Sequence, residues 1–233
     1  MPSFRPLIAA ITLAALLGVT LAGSTRAAEG RLYPSGPPNG VAYLRFANLS
    51  TAAVKITSAG GALDLGVNGA QRVGEFDPVT PGTELTGTAA IGGKTAPVKV
   101  TLKPNEFVTV AVGAGADGAP EVSLVRDEPT DFNAQKSALA LYNVDKQCAD
   151  ARLTAGDDHT VVISGVKPGA TGRRLVNPVN VALAVACDDK DAGTKADLGA
   201  MAAGERYSVF VFAPAGAGRE AFGLVDKMAP FRP

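Results

Sequence analysis

The segment LRFAN at residues 44–48 is echoed by LALYN at residues 139–143, in the second half of the chain. Further echoes follow in the same order, because EFVTV at residues 106–110 returns as ERYSV at 205–209, and LV at 124–125 returns 100 residues later. A period of about 100 residues is the size of a domain and far exceeds the period of a solenoid repeat. The sequence therefore predicts two copies of one domain.

The apolar pattern between the echoes is typical of β-structure. In VKVTL at residues 98–102, apolar and polar residues alternate, which predicts a strand with one buried face. The following KPNE at residues 103–106 predicts a turn that joins this strand to residues 107–112 as a hairpin. The other predicted strands are 41–46, 54–57, 63–67, 73–76, 138–142, 160–166 and 181–186. About seven or eight strands per repeat favour an all-β fold of two tandem β-sandwich domains.

The first 28 residues predict an export signal. Arg5 precedes an apolar run over residues 7–21, and small residues follow at Ala27 and Ala28. The run is short for a membrane span, so we interpret it as a cleaved signal peptide, with an uncleaved anchor as the alternative. The remaining sequence predicts an N-terminal sandwich over residues 29–128, a polar linker over 129–136 and a C-terminal sandwich over 137–233.

Charge excludes some classes of partner. Removal of residues 1–28 takes away Arg5 and Arg26 and leaves 20 basic and 22 acidic residues. A chain so nearly neutral offers no general attraction for nucleic acid or for anionic lipid.

The two cysteines, Cys148 and Cys187, both lie in the second repeat. In an oxidising compartment such a pair is predicted to form a disulfide. A redox-active or metal-binding pair is the alternative, but neither CxxC spacing nor a histidine partner accompanies it.

Three patterns suggest chemistry and are weighed against simpler structural interpretations. The GAGADG segment at residues 113–118 matches a dinucleotide-binding motif, but a predicted strand follows it where a helix is required, so a hairpin loop is favoured. His159 and Ser164 are candidates for an esterase or acetyltransferase site, although no nucleophile motif surrounds the serine. Asp188, Asp189 and Asp191 lack the spacing of a calcium loop and predict an acidic turn.

No residue pattern predicts a strong glycan site or a cofactor. The chain has no tryptophan, and two of its four tyrosines fall in predicted core strands. Ala182, Ala184 and Ala186 place small residues on one face of a strand, which indicates a face covered either from within the molecule or by a partner.

The start of the mature chain resembles the family of periplasmic alginate O-acetylation accessory proteins, AlgF. The resemblance begins with Leu32, Tyr33 and Pro34, passes through a Pro/Gly segment to Arg45 and Asn48, and continues through residues 103–106 into the second repeat. It covers nearly all of the mature chain, and the order of the motifs carries it.

This resemblance implies a non-catalytic periplasmic adaptor with no cofactor, required for O-acetylation of alginate or a similar exopolysaccharide. The implied partners are periplasmic O-acetyltransferases and a membrane-bound O-acyltransferase complex, with weak polysaccharide contact left open. A periplasmic glycan-binding carrier is the alternative function. Tyr33, Arg45 and Asn48 are the candidate partner-binding residues. Because Arg45 alternates with Leu44 and Phe46, we expect it on the exposed face of its strand.

Overall fold

The structure, a computed structural model, describes residues 39–130, 132–187 and 194–231. Within these residues it consists of sixteen β-strands and a single 3₁₀-helix, Gly69–Arg72, which confirms the predicted all-β class. The strands of the first repeat are β1 Ala42–Asn48, β2 Val54–Ser58, β3 Gly61–Leu65, β4 Asp77–Val79, β5 Glu84–Ile91, β6 Lys94–Thr101, β7 Phe107–Ala114 and β8 Pro120–Asp127. Those of the second are β9 Ser137–Asn143, β10 Ala151–Ala155, β11 Thr160–Val166, β12 Thr171–Val176, β13 Leu183–Ala186, β14 Thr194–Ala196, β15 Arg206–Phe212 and β16 Glu220–Val225.

The two repeats have the same topology. Strands β1–β8, the first sandwich, form an inner sheet in the order β4-β1-β7-β8 and an outer sheet in the order β3-β2-β5-β6. Strands β9–β16, the second sandwich, form an inner sheet in the order β12-β9-β15-β16 and an outer sheet in the order β11-β10-β13-β14. Adding eight to each strand number of the first sandwich reproduces the second, as expected for two copies of one fold.

Strand register defines which residues of the two repeats are equivalent. β1 runs parallel to β7 with Arg45 opposite Thr109, and β9 runs parallel to β15 with Ala140 opposite Ser208. Equivalent residues are therefore 95 positions apart in the first strands of the two repeats and 99 positions apart in the seventh strands, as the echoes indicate. The LV echo is one residue out of register, because Val125 lies opposite Thr109 while Leu224 lies opposite Ser208.

The predicted hairpin over residues 98–112 is wrong. β6 pairs with β5 in the outer sheet, whereas β7 pairs with β1 and β8 in the inner sheet, so the intervening turn carries the chain from one sheet to the other. Asn105 turns the chain with a left-handed φ of 65°, and the equivalent residue of the second repeat is Gly204 with a φ of 79°. A turn signal between two apolar runs does not reveal whether the runs share a sheet.

Each sandwich buries its own core, and a further apolar cluster joins the two sandwiches. Val108 and Val110 of β7 point into the first core, and Val209 and Val211 of β15 point into the second. The alternate residues of both inner sheets meet in the joining cluster, which contains Ala47, Leu49, Val73, Ala111, Val125, Ala140, Tyr142, Phe210, Phe212 and Leu224. The inner sheets are therefore covered on both faces.

Several predictions concern residues whose structure is not described. The predicted signal peptide, Tyr33 and the acidic residues 188–191 lie outside the described ranges. β8 ends at Asp127 and β9 begins at Ser137. The domain boundaries themselves stay predictions. The described residues belong to one compact unit. Within them, no helix has the length and apolarity needed to cross a bilayer.

Candidate functional site at the interface between the sandwiches

Arg45 lies at the centre of the interface between the two inner sheets. Its neighbours Leu44 and Phe46 pack against the first core, so the strand alternation places Arg45 on the opposite face, as predicted. The expectation that this face is exposed is wrong, because the second sandwich covers it and Arg45 is only 1% exposed. In this arrangement its guanidinium is out of reach of another protein.

Every nitrogen of the Arg45 guanidinium donates a hydrogen bond. Nη1 donates to Asp226 Oδ1 over 2.6 Å and Nη2 to Ser208 Oγ over 2.9 Å, both in the second sandwich. Nε donates to Thr109 Oγ1 over 2.9 Å, within the first sandwich. Ser208 Oγ also donates to Asp226 Oδ1 over 2.7 Å. Such complete pairing is what a buried charge requires, since an unpaired one is strongly destabilising.

Aromatic rings enclose the same guanidinium. Arg45 Cζ lies 4.1 Å from the ring centroid of Phe76, 5.0 Å from that of Tyr142 and 5.3 Å from that of Phe210. Tyr142, Phe210 and Phe222 form a continuous stack. The ring faces favour a cation, so Arg45 contributes cation–π contacts to the interface as well as its ion pair.

A second ion pair joins the sandwiches near the edge of the interface. Arg173 of β12 donates to Asp127 Oδ2 at the end of β8 over 2.5 Å. Their side chains are 14% and 7% exposed, against 1% and 2% for Arg45 and Asp226. Burial raises the pKa of Asp127 above its ordinary value, and the positive charges of Arg173, Arg206 and Arg45 oppose that rise.

Arg206 adds a further contact between the sandwiches. Its guanidinium lies 5.2 Å from the ring of Phe107 in the first sandwich and 5.2 Å from the ring of Phe132, which precedes the second. Burial lowers the pKa of Arg206, with a further contribution from Arg173. The negative charges of Asp226 and Asp127 act in the opposite direction and raise the pKa of Arg206.

Arg72 at the end of the 3₁₀-helix makes the third ionic contact across the interface. Nη2 lies 3.6 Å from Glu220 Oε2 in β16, and Nη1 donates to the carbonyl oxygens of Asn48 and Ser50. Its guanidinium also lies 5.3 Å from the ring of Phe212. Sequence patterns did not identify Arg72, Arg173 or either aspartate as interface residues. One signal was present, since Asp127 and Asp226 are 99 residues apart and occupy equivalent positions.

Asn48 has a structural role that is repeated in the second sandwich. Its Nδ2 donates to the carbonyl oxygens of Ala52 and Gly66, both over 2.8 Å, and its Oδ1 accepts from the backbone N–H of Ser50. Asn143 does the same, donating to the carbonyl oxygens of Cys148 and Val166. Each buried asparagine ties the loop after the first strand to the end of the third strand. This explains why the asparagine recurs in the echoed segment.

The disulfide between Cys148 and Cys187 is confirmed. It joins the loop after β9 to the residue after β13, with the two Cα atoms 5.1 Å apart. Since Asn143 also contacts Cys148, the covalent link and the asparagine tie secure the same loop of the second sandwich. The first sandwich holds the equivalent loop without a disulfide.

The structure does not bring His159 and Ser164 together. Both residues are exposed, and His159 adopts a left-handed φ of 52° in the turn before β11. Extended backbone rises about 3.3 Å per residue, so β11 places Ser164 about 13 Å beyond Thr160. The two side chains therefore do not form a nucleophile and base pair in this arrangement.

The glycine-rich segment at residues 113–118 is a hairpin loop, as predicted. It joins β7 to the antiparallel β8, with Gly118 at a φ of 78°. The loop between β15 and β16 has Gly216 in the corresponding role, at a φ of 75°. Backbone turns account for these glycines.

Comparison with known proteins identifies relatives over most of the chain. The family model for "Alginate O-acetyl transferase AlgF" matches residues 14–216. An alginate biosynthesis protein AlgF from Pseudomonas putida is 32% identical over 184 residues, which cover 79% of this chain and 79% of that protein. The AlgF protein from Pseudomonas aeruginosa is 31% identical over 170 residues, or 72% of this chain and 71% of that protein.

A comparison of structures gives a weaker likeness. A proposed cell adhesion protein from Bacteroides uniformis aligns with 82% of this chain and 100% of its own, with 13% identity and a TM-score of 0.28. This score is too low to inform the interpretation of the fold.

Proposed function

This chain belongs to the alginate O-acetyl transferase AlgF family, and from that premise we propose that it is a non-catalytic periplasmic adaptor for exopolysaccharide O-acetylation. The polymer is alginate or a similar polysaccharide. The adaptor docks periplasmic O-acetyltransferases and a membrane-bound O-acyltransferase complex. The relatives that share most of its length are named for alginate biosynthesis, which supports a role in that system.

The joined pair of sandwiches is the observation that supports an adaptor. Buried ion pairs and a shared apolar cluster link the two inner sheets, so their arrangement is fixed by contacts that cost several kcal/mol to break. A rigid arrangement holds the outer faces at constant separation and orientation. Two partners bound on such faces meet in a defined geometry, which lowers the entropic cost of assembly.

The candidate binding residues change in light of this geometry. Arg45 and Asn48 are buried, so we assign them to the structure of the adaptor and not to direct contact with a partner. Tyr33, outside the described ranges, stays a candidate for direct contact. The outer sheets offer further surface, since Thr57 and Thr88 of the first and Val161 and Ser164 of the second are exposed.

Co-purification with an acetyltransferase of the same system tests the adaptor function. We expect the purified wild-type protein to retain the acetyltransferase, and a single substitution on one outer sheet, Thr88→Arg or Val161→Arg, to abolish retention. The outer sheet on which the substitution acts identifies the docking face. If the wild type retains no acetyltransferase from envelope extract, docking is contradicted.

An enzymatic function is the second candidate, because the matching family is described as an acetyl transferase. The separation of His159 from Ser164 argues against that pair as its catalytic site. Assay of the purified protein with a small acetyl ester and a sugar acceptor separates the two functions. An adaptor transfers no acetyl group alone, whereas transfer that is lost in Ser164→Ala would establish the enzyme.

A further inference from the structure

Two nitrogens of the Arg206 guanidinium have no hydrogen-bond partner among the described residues. Nε and Nη1 are both buried, and neither donates to an oxygen of residues 39–130, 132–187 or 194–231. Arg45 differs, because every nitrogen of its guanidinium donates. A buried N–H group without an acceptor loses its hydration and gains nothing in return, so such a group is a candidate for binding a ligand.

The aspartates near Arg206 are engaged with other arginines. Asp226 Oδ1 accepts from Arg45 Nη1, and Asp127 Oδ2 accepts from Arg173. The charges of both aspartates raise the pKa of Arg206, but neither aspartate accepts a hydrogen bond from its Nε or Nη1. Burial and the charge of Arg173 lower the same pKa. The surroundings of Arg206 therefore favour a further negative charge.

Two aromatic rings lie beside the guanidinium of Arg206. Its Cζ lies 5.2 Å from the ring centroid of Phe107 and 5.2 Å from that of Phe132. The rings stabilise the positive charge, but they provide no lone pair for the N–H groups. Phe107 is 2% exposed and Phe132 is 40% exposed, so the first ring faces the interior of the interface and the second lies at the surface. A ligand therefore enters beside Phe132.

The third nitrogen of Arg206, Nη2, connects the two unpaired nitrogens to solvent. It is not enclosed as Nε and Nη1 are, and Arg206 as a whole is half-buried. In a planar guanidinium, Nη2 shares one edge with Nε and another edge with Nη1. A carboxylate that approaches Nη2 along either edge accepts two parallel hydrogen bonds, one of them from a nitrogen that is otherwise unpaired. A spherical anion matches such a pair of donors less well.

We propose that Arg206 binds a small carboxylate at the edge of the interface between the sandwiches. The ligand is small because the unpaired nitrogens lie below the surface, beside Phe132. It contacts Arg206 of the second sandwich next to Phe107 of the first, so its binding stabilises the joined arrangement by linkage. Phe107 occupies the position equivalent to Arg206 in the first repeat, so the described residues form one such site per chain.

Titration of the mature protein with sodium acetate at about pH 6, where carboxylate and guanidinium are both charged, tests the site. NMR detection of the arginine Nε–H groups reports directly on Arg206. We expect its resonance to shift and to saturate with a dissociation constant on the order of 10 mM, as a single charge-assisted pair open to solvent supports. At about 100 mM acetate such binding raises the ratio of folded to unfolded protein about tenfold, which urea unfolding measures. Sodium chloride at equal ionic strength is the second arm and should bind at least about fivefold more weakly.

Substitutions of Arg206 separate its charge from its geometry. Arg206→Met removes the donors and should abolish the effect of acetate on stability. Arg206→Lys keeps the charge but loses the planar pair of donors, and it should weaken acetate binding at least about threefold. Arg174→Met is the matched control, because Arg174 is exposed on β12 and donates to the carbonyl oxygen of Val162. We expect this control to bind acetate as the wild type does.

Four results would overturn the inference. They are an Arg206 resonance that does not move up to about 200 mM acetate, equal binding of acetate and chloride, an acetate effect on stability that persists in Arg206→Met, and unaltered acetate binding in Arg206→Lys. The wild-type titrations and the lysine variant decide the matter even if the methionine variant does not fold. None of these results bears on the adaptor function, which retention of the acetyltransferase tests separately.

Discussion

The two arginine–aspartate pairs that join the sandwiches have equivalent aspartates but non-equivalent arginines. Asp226 and Asp127 occupy equivalent positions at the end of the eighth strand in their repeats. Their partners are not equivalent, because Arg45 lies on the first strand of one sandwich and Arg173 on the fourth strand of the other. The central pair is almost completely buried and every guanidinium nitrogen of Arg45 donates a hydrogen bond, whereas the peripheral pair is partly exposed.

The features that the two repeats share are therefore distinct from the contacts that join the repeats. The strand order and the asparagine ties are the same in both copies, so each sandwich folds by the same rules. Arg45, which binds one copy to the other, has no counterpart, since Ala140 occupies the equivalent position in the second repeat. The contacts at the interface therefore differ between the two copies, and its two arginine–aspartate pairs should contribute unequally to stability.

The largest expected effect is that of Arg45→Met. This substitution leaves Asp226 buried without its cation, and breaking such a pair costs about 3–5 kcal/mol. Urea unfolding followed by circular dichroism measures the loss. Lys146→Met is the matched control, because its ion pair with Glu121 is exposed and should contribute no more than about 1 kcal/mol. Equal losses in the free energy of unfolding would show that the buried central pair stabilises the protein no more than an exposed ion pair does.

Substitution of the asparagine ties tests the part that is repeated. Asn48→Ala and Asn143→Ala each leave buried carbonyl oxygens without donors, at a cost of about 2–3 kcal/mol. We expect similar losses at the two positions, with Asn143 the milder because the disulfide also holds its loop. A loss at one position alone, measured by the same unfolding experiment, would contradict the structural equivalence of the repeats.

Arg173→Met should cost less than Arg45→Met, about 2 kcal/mol. The remaining Asp127 lies closer to solvent than Asp226, and burial has already raised its pKa, so it can bind a proton when its partner is lost. A double-mutant cycle of Arg173→Met with Asp127→Asn measures the coupling. Coupling stronger than that of Arg45 with Asp226 would reverse the ranking.

The smallest effect is a pH dependence attributable to Asp127. Its pKa is raised in the folded state, so the native protein binds more protons than the unfolded chain between the ordinary and the raised pKa. Stability therefore falls as pH rises through that window, and the contribution of the protonated form is fully present below it. Asp127→Asn should flatten this part of the profile when urea unfolding is measured at a series of pH values upward from the ordinary aspartate pKa of about 4. An unaltered profile in that variant would assign the dependence to another group.

The sequence was sufficient to predict the fold class, the duplication and the disulfide, because these depend on short patterns and on spacing. Alternation along the first strand also placed Arg45 on the face opposite its core. What alternation cannot report is what covers that face, and here the other sandwich covers it. The exposure of Arg45 was therefore predicted wrongly from a correct strand assignment.

The pairing of strands that are distant in the sequence could not be predicted either. The parallel pairing of β1 with β7 joins residues 64 positions apart, and no local turn encodes it. The segment predicted as a strand over residues 73–76 makes only isolated bridges, at Val73 with Ala47 and at Phe76 with Met228. The second of these bridges brings the end of the chain back to the first sandwich. Contacts of this kind depend on the packed molecule and not on the local sequence.

The central claim is that the two sandwiches form one rigid unit. Spin labels on Thr88→Cys and Ser164→Cys report the distance between the outer sheets by double electron–electron resonance, since the native cysteines are held in their disulfide. Our account predicts one narrow distance distribution, which broadens when Arg45→Met is added. A broad distribution in the protein with native Arg45 would show that the sandwiches move independently, and would contradict the account.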